Sequence, residues 1–189
     1  MLTNDWMADN AIMYSFLSEL TLVTGNERSG KKFFSRQKGM KGKGQSCLFG
    51  FTWRRNMGTT IREFDFDKKL YKTKLMADNP DLLVLFKEFS KNYFPDFEWS
   101  QVQINFMPTG CAAKPHLDSK NTGESVLVAF GDYSGGNTYV QNENDRNYTI
   151  YDARTEPIKF DGSALKHGVT TVSSGDRYSL VFFNNCKNK

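Results

Sequence analysis

The chain has 189 residues, a formal net charge of +4 and 39% hydrophobic residues, and this length predicts one domain, residues 1–189, with a core of its own. Its three cysteines, Cys47, Cys111 and Cys186, include no C-x-x-C pair, which argues against a disulfide scaffold or a zinc ribbon and favours reduced thiols. Because no apolar run could span a bilayer and the N-terminus has no basic leader, we expect a soluble intracellular protein, cytoplasmic, nuclear or viral, with no membrane attachment and no obligate protein partner.

The N-terminal part of the chain predicts one helix followed by a basic segment. Apolar residues recur at near-helical spacing within the first twenty residues. Ten lysines and arginines and no acidic residue then lie between Arg28 and Arg62, so the rest of the chain is net acidic. Aromatic residues are interleaved with these charges: Phe33, Phe34, Phe49, Phe51 and Trp53. This pattern suits a polyanion with stackable bases, although a solvated loop followed by a core strand at residues 47–53 explains it equally well.

The remaining pattern predicts a mainly β domain. Residues 79–94 are typical of an amphipathic helix with one apolar stripe. From residue 99 onward, short alternating or apolar segments are separated by Gly, Asn and Asp, which predicts antiparallel strands. The fold class is therefore α+β, mainly β, with a double-stranded β-helix (jelly-roll or cupin-like) core and flanking helices. Within the single domain we divide a helical and basic supporting region, residues 1–98, from a catalytic core at residues 99–184.

The only two histidines of the chain predict a metal site. His116 and Asp118 are two positions apart at the end of an extended segment, and His167 follows a glycine-containing turn just before the last strong strand. Each histidine alone is more often an ordinary surface or core imidazole. Together, two histidines and one carboxylate from separate strands match the facial triad that holds non-haem Fe(II) and leaves coordination positions open.

Arg177 and Ser179 predict a site for a carboxylate near this metal. They lie ten and twelve residues beyond His167, and alternation along a strand puts both on one face. A guanidinium fork beside a hydroxyl can hold the distal carboxylate of 2-oxoglutarate, the electron donor that such an iron requires. The alternative is an arginine paired with Asp176 or another acid.

These motifs resemble those of the Fe(II)/2-oxoglutarate-dependent oxygenase superfamily. The resemblance covers roughly residues 99–184, and the segment HLDSKNTGESVLVAFGDYSGGNTYV is most similar to the TET/JBP branch of nucleic-acid methyl hydroxylases. The polar and glycine positions typical of that branch are occupied here by Asn121, Gly123, Gly135 and Gly136. The segment QINFMPTG resembles the Asn-x-Tyr strand of AlkB-like relatives, which implies a cosubstrate contact for Asn105, but Met107 stands where the tyrosine would be.

The resemblance implies a dioxygenase that uses Fe(II), 2-oxoglutarate and O2 to hydroxylate the methyl group of 5-methylcytosine or thymine in DNA, releasing succinate and CO2. His116, Asp118 and His167 would hold iron, and Arg177, Ser179 and Asn105 would hold 2-oxoglutarate. The cysteine-rich extension of animal TET proteins is absent from this sequence, so its basic segment would have to grip the DNA. Substrate contacts would come from Trp53, Arg54, Arg55 and Asn121, with Phe49 and Phe51 as further receivers of a flipped base.

Two alternatives remain open at the level of the sequence. A prolyl or peptidyl hydroxylase uses the same iron triad, although that group commonly has lysine at the position of Arg177. A non-enzymatic cupin-like module could instead bind metal and nucleic acid. A structural zinc in such a module would require a fourth protein ligand, for which Cys111 is the nearest thiol in the chain.

Overall fold

A computed structural model describes residues 2–25, 35–36, 40–52, 61–65 and 70–185. The helices are α1 (Trp6–Gly25), α2 (Lys74–Asp78) and α3 (Asp81–Tyr93). The strands are β1 (Ser35–Arg36), β2 (Met40–Lys41), β3 (Gln45–Thr52), β4 (Ile61–Asp65), β5 (Leu70–Thr73), β6 (Gln101–Pro108), β7 (Ala112–His116), β8 (Ser125–Phe130), β9 (Tyr133–Gly135), β10 (Thr138–Gln141), β11 (Tyr148–Tyr151), β12 (Ile158–Phe160), β13 (His167–Val169) and β14 (Val172–Phe183).

Within these described ranges the strands form two antiparallel sheets. The larger sheet has nine strands, in the order β12-β8-β14-β6-β3-β5-β4, with β1 beside β3 and β9 beside β14. The smaller sheet has five strands, in the order β11-β10-β13-β7-β2. Sequential strands thus alternate between the sheets over much of the C-terminal half. This arrangement is the jelly-roll architecture predicted from the sequence.

Strict alternation along the long strand β14 separates two cores. Tyr178, Leu180 and Phe182 face the helices and are almost completely buried. Arg177 and Ser179 face the smaller sheet instead. Because successive side chains of a strand point to opposite faces, one strand supplies both an apolar floor for the helices and the polar wall of a cavity.

The helices cover the outer face of the larger sheet. The apolar stripe of α3 is buried there, with Leu82, Phe86 and Phe89 at 1%, 0% and 0% exposure. The Phe86 ring packs edge-on against Phe49 of β3, with the ring centroids 5.1 Å apart. Burial of each such side chain stabilises the fold by about 1.5–3 kcal/mol. The helices therefore hold the sheet that carries one wall of the site.

The supporting region contributes strands to both sheets. Strand β3 pairs with β6 from Gln45 to Gly50, and β2 pairs with β7. The helices predicted near the N-terminus and at residues 79–94 are present as α1 and α3. Helix α2 and strands β4 and β5 were not predicted, nor were β1 and β2, which lie in the segment expected to be a basic loop. Within the part of the chain described, no helix combines the length and apolar character needed to cross a membrane.

Candidate metal centre and anion pocket

Three side chains converge between the two sheets and could hold a metal ion. His116, Asp118 and His167 each offer one ligand atom, and these atoms lie within 4.8 Å of one another. Nε2 of His116 is 3.7 Å from Oδ1 of Asp118, and Nε2 of His167 is 3.5 Å from Oδ2. The structure thus brings together the three residues that the sequence singles out. We refer to them as the His–Asp–His cluster.

The pairing of β7 with β13 places the two histidines opposite each other. His116 is the last residue of β7 and pairs with His167, the first residue of β13. The register then shifts, so that Val169 pairs with Ala113 and one extra residue of β7 is accommodated. Such a bulge re-aims the side chains around it and is typical of strands beside active sites. Pro115 lies at this irregularity, where its missing N–H costs no regular ladder bond.

Backbone carbonyls fix the orientation of both imidazoles. Nδ1 of His116 is 2.8 Å from the carbonyl oxygen of Lys114, and Nδ1 of His167 is 3.0 Å from that of Leu165. A carbonyl can only accept, so each Nδ1 carries a proton, and Nε2 is the ring nitrogen that faces the cluster. This is the arrangement that metal-binding histidines commonly show.

Asp118 lies beyond the end of β7 and is held from two sides. Its backbone N–H donates to the carbonyl oxygen of Gly162, at 2.8 Å. Nδ2 of Asn121 lies 3.4 Å from Oδ2 of Asp118 and donates to it. The structure therefore gives Asn121, predicted as a substrate contact, a direct contact with the carboxylate of the cluster. Asn121 also lines the cavity described next.

A cavity of about 390 Å³ extends from the cluster between the sheets. At one end lies Arg177, whose side chain is 1% exposed. No described acidic residue forms an ion pair with it, Asp176 included, and its Nε has no hydrogen-bond partner in the described structure. Burial lowers the pKa of Arg177, but an arginine stays charged in proteins. An unpaired buried charge is costly, which points to an anionic ligand as its missing partner.

Hydroxyl and amide groups surround this guanidinium. Nη1 of Arg177 donates to Oγ of Ser179 at 3.0 Å, and Nη2 donates to Oγ1 of Thr138 at 3.2 Å. Nδ2 of Asn105 also donates to Oγ of Ser179, at 3.3 Å. Met107, the residue in place of a tyrosine, contributes its sulfur 3.8 Å from Nη1. We call the end of the cavity formed by Asn105, Thr138, Arg177 and Ser179 the anion pocket.

The aromatic ring of Tyr133 packs against the guanidinium group of the anion pocket. The guanidinium carbon of Arg177 lies 5.9 Å from the ring centroid of Tyr133, and that of Arg154 lies 4.4 Å from it. Such cation–π contacts stabilise a cation without neutralising it. Gly136 makes room for this packing, because a Cβ there would lie 3.0 Å from Cδ of Arg177 and 3.2 Å from the Tyr133 ring.

The opposite end of the cavity is lined by apolar side chains together with two side-chain amides. Beyond Ser179, alternate residues of β14 continue along the cavity wall as Val181 and Phe183. Gln103, the cross-strand partner of Val181, lies beside them. Arg177 and Phe183 are six residues apart on one strand, about 20 Å, so a short diacid bound at Arg177 leaves this end accessible. We call the end formed by Gln103, Asn121, Val181 and Phe183 the far compartment.

The other predicted substrate contacts are not part of the cavity described. Trp53, Arg54 and Arg55 lie outside the described residues. Phe49 is fully buried against α3, so it does not receive a base, and Phe51 packs against the same core. The core explanation for these strand aromatics is therefore correct. Their alternation with small and polar residues in SCLFGFT was the available signal.

Thr138, Gln103 and Phe183 are among the cavity residues that reasoning from the sequence missed. Thr138 follows the SGGN turn, and Gln103 lies two positions before Asn105 on the same strand face. Phe183 lies six positions after Arg177, again on the cavity face. Extending the two-residue alternation from Asn105 and Arg177 would have found Gln103 and Phe183. Thr138 depends on how β10 crosses the smaller sheet, which a local pattern does not reveal.

The donor set of the cluster fits a non-haem Fe(II) centre. Two neutral imidazole nitrogens and one carboxylate oxygen leave coordination positions open on an octahedral metal. A structural zinc site would need a fourth protein ligand, and Cys111 is buried in the core outside this cluster. The side of His116 is the accessible one, since its side chain is 44% exposed compared with 8% for His167.

Comparison with known proteins gives matches in sequence and in structure. No protein-family model matches the chain. Over 70 residues, 37% of the chain, the sequence is 31% identical to "Tet-like dioxygenase 1" of Naegleria gruberi, and the match spans only 22% of that relative's length. A crystal structure of an oxidoreductase of the 2OG-Fe(II) oxygenase family from Burkholderia pseudomallei is similar, with 18% sequence identity and a TM-score of 0.51. The match covers 81% of this chain and 73% of the chain in that structure. The structure of OsALKBH1 is also similar, with 16% sequence identity and a TM-score of 0.54. This match covers 94% of this chain and 92% of the OsALKBH1 chain.

The chain thus has the same fold as these solved structures, with a jelly-roll core, and one of them is a 2OG-Fe(II) oxygenase by its description. The predicted fold class and the predicted resemblance to this superfamily are confirmed in the architecture. The sequence predicts Fe(II), 2-oxoglutarate and O2 as cofactors, and the donor set of the His–Asp–His cluster fits the metal among them.

Proposed function

We propose that the protein is an Fe(II)- and 2-oxoglutarate-dependent dioxygenase that hydroxylates the methyl group of a nucleobase, 5-methylcytosine or thymine, in DNA. In this reaction the methyl compound, 2-oxoglutarate and O2 give the hydroxymethyl compound, succinate and CO2. The observation that carries the oxygenase part is the buried, unpaired Arg177 in the same cavity as a His–Asp–His cluster with open positions.

Each group of residues has a defined task in this proposal. His116, Asp118 and His167 hold Fe(II), which supplies the activation of O2 when it is bound. Arg177 neutralises the distal carboxylate of 2-oxoglutarate, while Ser179 and Thr138 donate hydrogen bonds to it. The anion pocket thereby orients the cosubstrate towards the cluster, and the apolar walls limit the entry of water.

The far compartment supports a planar, hydrogen-bonding substrate. Phe183 is 6% exposed and lines the cavity, so the part of its ring that faces the cavity is the surface on which a base can stack. Gln103 and Asn121 offer amides that can pair with the edge of a base. The partial sequence similarity to a Tet-like dioxygenase points the same way. The basic segment between Arg28 and Arg62, most of it outside the described residues, supplies positive charge for a phosphate backbone.

The test is release of succinate from 2-oxoglutarate by the purified protein with Fe(II) and O2. We expect stimulation by DNA containing 5-methylcytosine or thymine, with a hydroxylated nucleoside in the digest. Stimulation by a proline-rich peptide alone would assign the protein to the peptidyl hydroxylases. Metal and DNA binding without turnover of any substrate would favour the non-enzymatic module.

Phe183→Leu will separate DNA hydroxylation from cosubstrate binding. Leucine retains an apolar side chain but removes the stacking surface, which is worth about 1–3 kcal/mol per base. We therefore expect DNA-stimulated turnover to fall roughly 5- to 150-fold, with 2-oxoglutarate affinity unchanged. Both quantities are measured by titrating each substrate in the succinate assay.

Phe183→Tyr is the matched control, because it keeps the ring and should retain most of the DNA-stimulated turnover. Equal activity of the Leu and Tyr variants on DNA would show that no base stacks on this residue.

A further inference from the structure

A continuous chain of hydrogen bonds joins the far compartment to the anion pocket. Nε2 of Gln103 donates to Oδ1 of Asn105 at 3.0 Å. Nδ2 of Asn105 then donates to Oγ of Ser179, at 3.3 Å, and Nη1 of Arg177 donates to the same oxygen, at 3.0 Å. Gln103 and Asn105 are two residues apart on β6, so their side chains lie on one face of the sheet.

The donor-to-acceptor direction of these hydrogen bonds determines whether the Ser179 hydroxyl can donate into the cavity. A serine hydroxyl accepts two hydrogen bonds and donates one. Asn105 and Arg177 occupy both acceptor positions, so the Ser179 proton is free to be donated into the cavity. If Asn105 were turned over, its Oδ1 would face Ser179 and would take that proton instead. The hydroxyl would then no longer serve as a donor to an anion.

Gln103 determines which way round the Asn105 amide lies. An amide presents one acceptor and one donor group, and Asn105 alone has no preference between its two orientations. Because Gln103 donates to Oδ1 of Asn105, it holds the amide group of Asn105 with its nitrogen towards Ser179. Gln103 lies only half-buried between its cross-strand neighbours Leu48 and Val181. Its amide donates to Asn105, so it acts on the anion pocket through that residue.

We propose that Gln103 is a positioning residue for the cosubstrate: it orients Asn105 so that Ser179 donates a hydrogen bond to the distal carboxylate of 2-oxoglutarate. This inference rests on the proposed function, since it assumes that 2-oxoglutarate occupies the anion pocket. Gln103 itself does not touch the carboxylate in this arrangement.

The decisive variant is Gln103→Glu, which has nearly the same shape but only acceptor oxygens when ionised. Glutamate attracts the nitrogen of Asn105, turns the amide over and consumes the Ser179 proton. Binding is measured by calorimetry under argon with the Fe(II)-loaded protein. We expect 2-oxoglutarate to bind roughly 10- to 150-fold more weakly, the effect of losing one hydrogen bond to a charged group. Oxalate, which chelates the metal but has no distal carboxylate, should bind with unchanged affinity.

An Asn105→Ala background distinguishes orientation from simple charge repulsion. Without the amide at position 105, the change from Gln103 to Glu has nothing to turn over, so the double-mutant cycle should show a strong coupling between the two positions. Repulsion by the new carboxylate would persist in that background. Gln103→Met, which is neutral and similar in volume, should cause a smaller loss than Gln103→Glu.

The inference is overturned if Gln103→Glu binds 2-oxoglutarate as the unaltered protein does, if oxalate binding falls equally, or if the loss persists without Asn105. Failure of the unaltered, Fe(II)-loaded protein to bind 2-oxoglutarate would instead overturn the proposed function.

Discussion

Replacement of Asp118 by alanine will abolish turnover and will release the metal. Asp118 supplies the only carboxylate of the His–Asp–His cluster, and its two oxygens face Nε2 of His116 and Nε2 of His167. Loss of even an outer partner of a metal ligand costs roughly 10- to 100-fold in metal affinity, so loss of the ligand itself should exceed that. We expect succinate release below detection, and Fe(II) affinity, measured by equilibrium dialysis, reduced by more than about 100-fold. His116→Ala should give the same result.

Asp96→Ala is the matched control, because it removes an exposed carboxylate outside the cavity lining. It should leave both quantities unchanged. Retained turnover in Asp118→Ala or His116→Ala, at full Fe(II) loading, would contradict the assignment of the metal ligands.

Arg177→Met will weaken the binding of 2-oxoglutarate while stabilising the ligand-free protein. The methionine fills much of the volume but removes the charge and the donors that face the carboxylate. A buried charged hydrogen-bonding partner is worth about 2–4 kcal/mol, so the dissociation constant should rise roughly 30- to 1,000-fold. Without its ligand, Arg177 is a buried charge with no ion-pair partner among the described residues, and replacing such a charge by an apolar group commonly stabilises a fold. Calorimetric titration and thermal unfolding measure the two effects.

Arg177→Lys keeps the charge without the planar fork and should bind 2-oxoglutarate with intermediate affinity. Arg146→Met removes an exposed arginine and controls for the change in net charge. Unchanged affinity in Arg177→Met would mean that the carboxylate binds elsewhere. A lower unfolding midpoint in the ligand-free variant would mean that Arg177 is already compensated without a ligand.

The sequence predicted the strongest elements and the residues with the most specific chemistry. Strand β14 alternates so clearly that Arg177 and Ser179 could be placed on one face, and their atoms lie 3.0 Å apart in the structure. The apolar face of α3 was equally clear from the helical spacing of its apolar residues. Only two histidines are present, so few combinations with a carboxylate needed to be considered.

The long-range strand pairing around the site was not predictable, even at His167, which the sequence singles out as a ligand. His167 begins a short strand whose partner, β7, lies about fifty residues earlier and contains a bulge. Thr138 reaches Arg177 only because β10 pairs with β13 in the opposite sheet. The sequence left the role of Phe49 open because its neighbours in sequence are basic, whereas its burial is decided by α3. Local pattern indicates the face of a strand but not what lies across from it.

The carbonyl bonds at Nδ1 of His116 and His167 have a consequence for metal selectivity. Backbone carbonyls hold both rings, and the rings also pack against each other and against Phe160. The centre is therefore preformed and can accept any divalent ion. Two nitrogens and one oxygen do not favour Fe(II), because divalent copper, nickel and cobalt bind such ligands more tightly. The metal present after purification will therefore reflect supply in the host cell. Oxygenase activity should be judged only after the resident ion is removed and Fe(II) is restored.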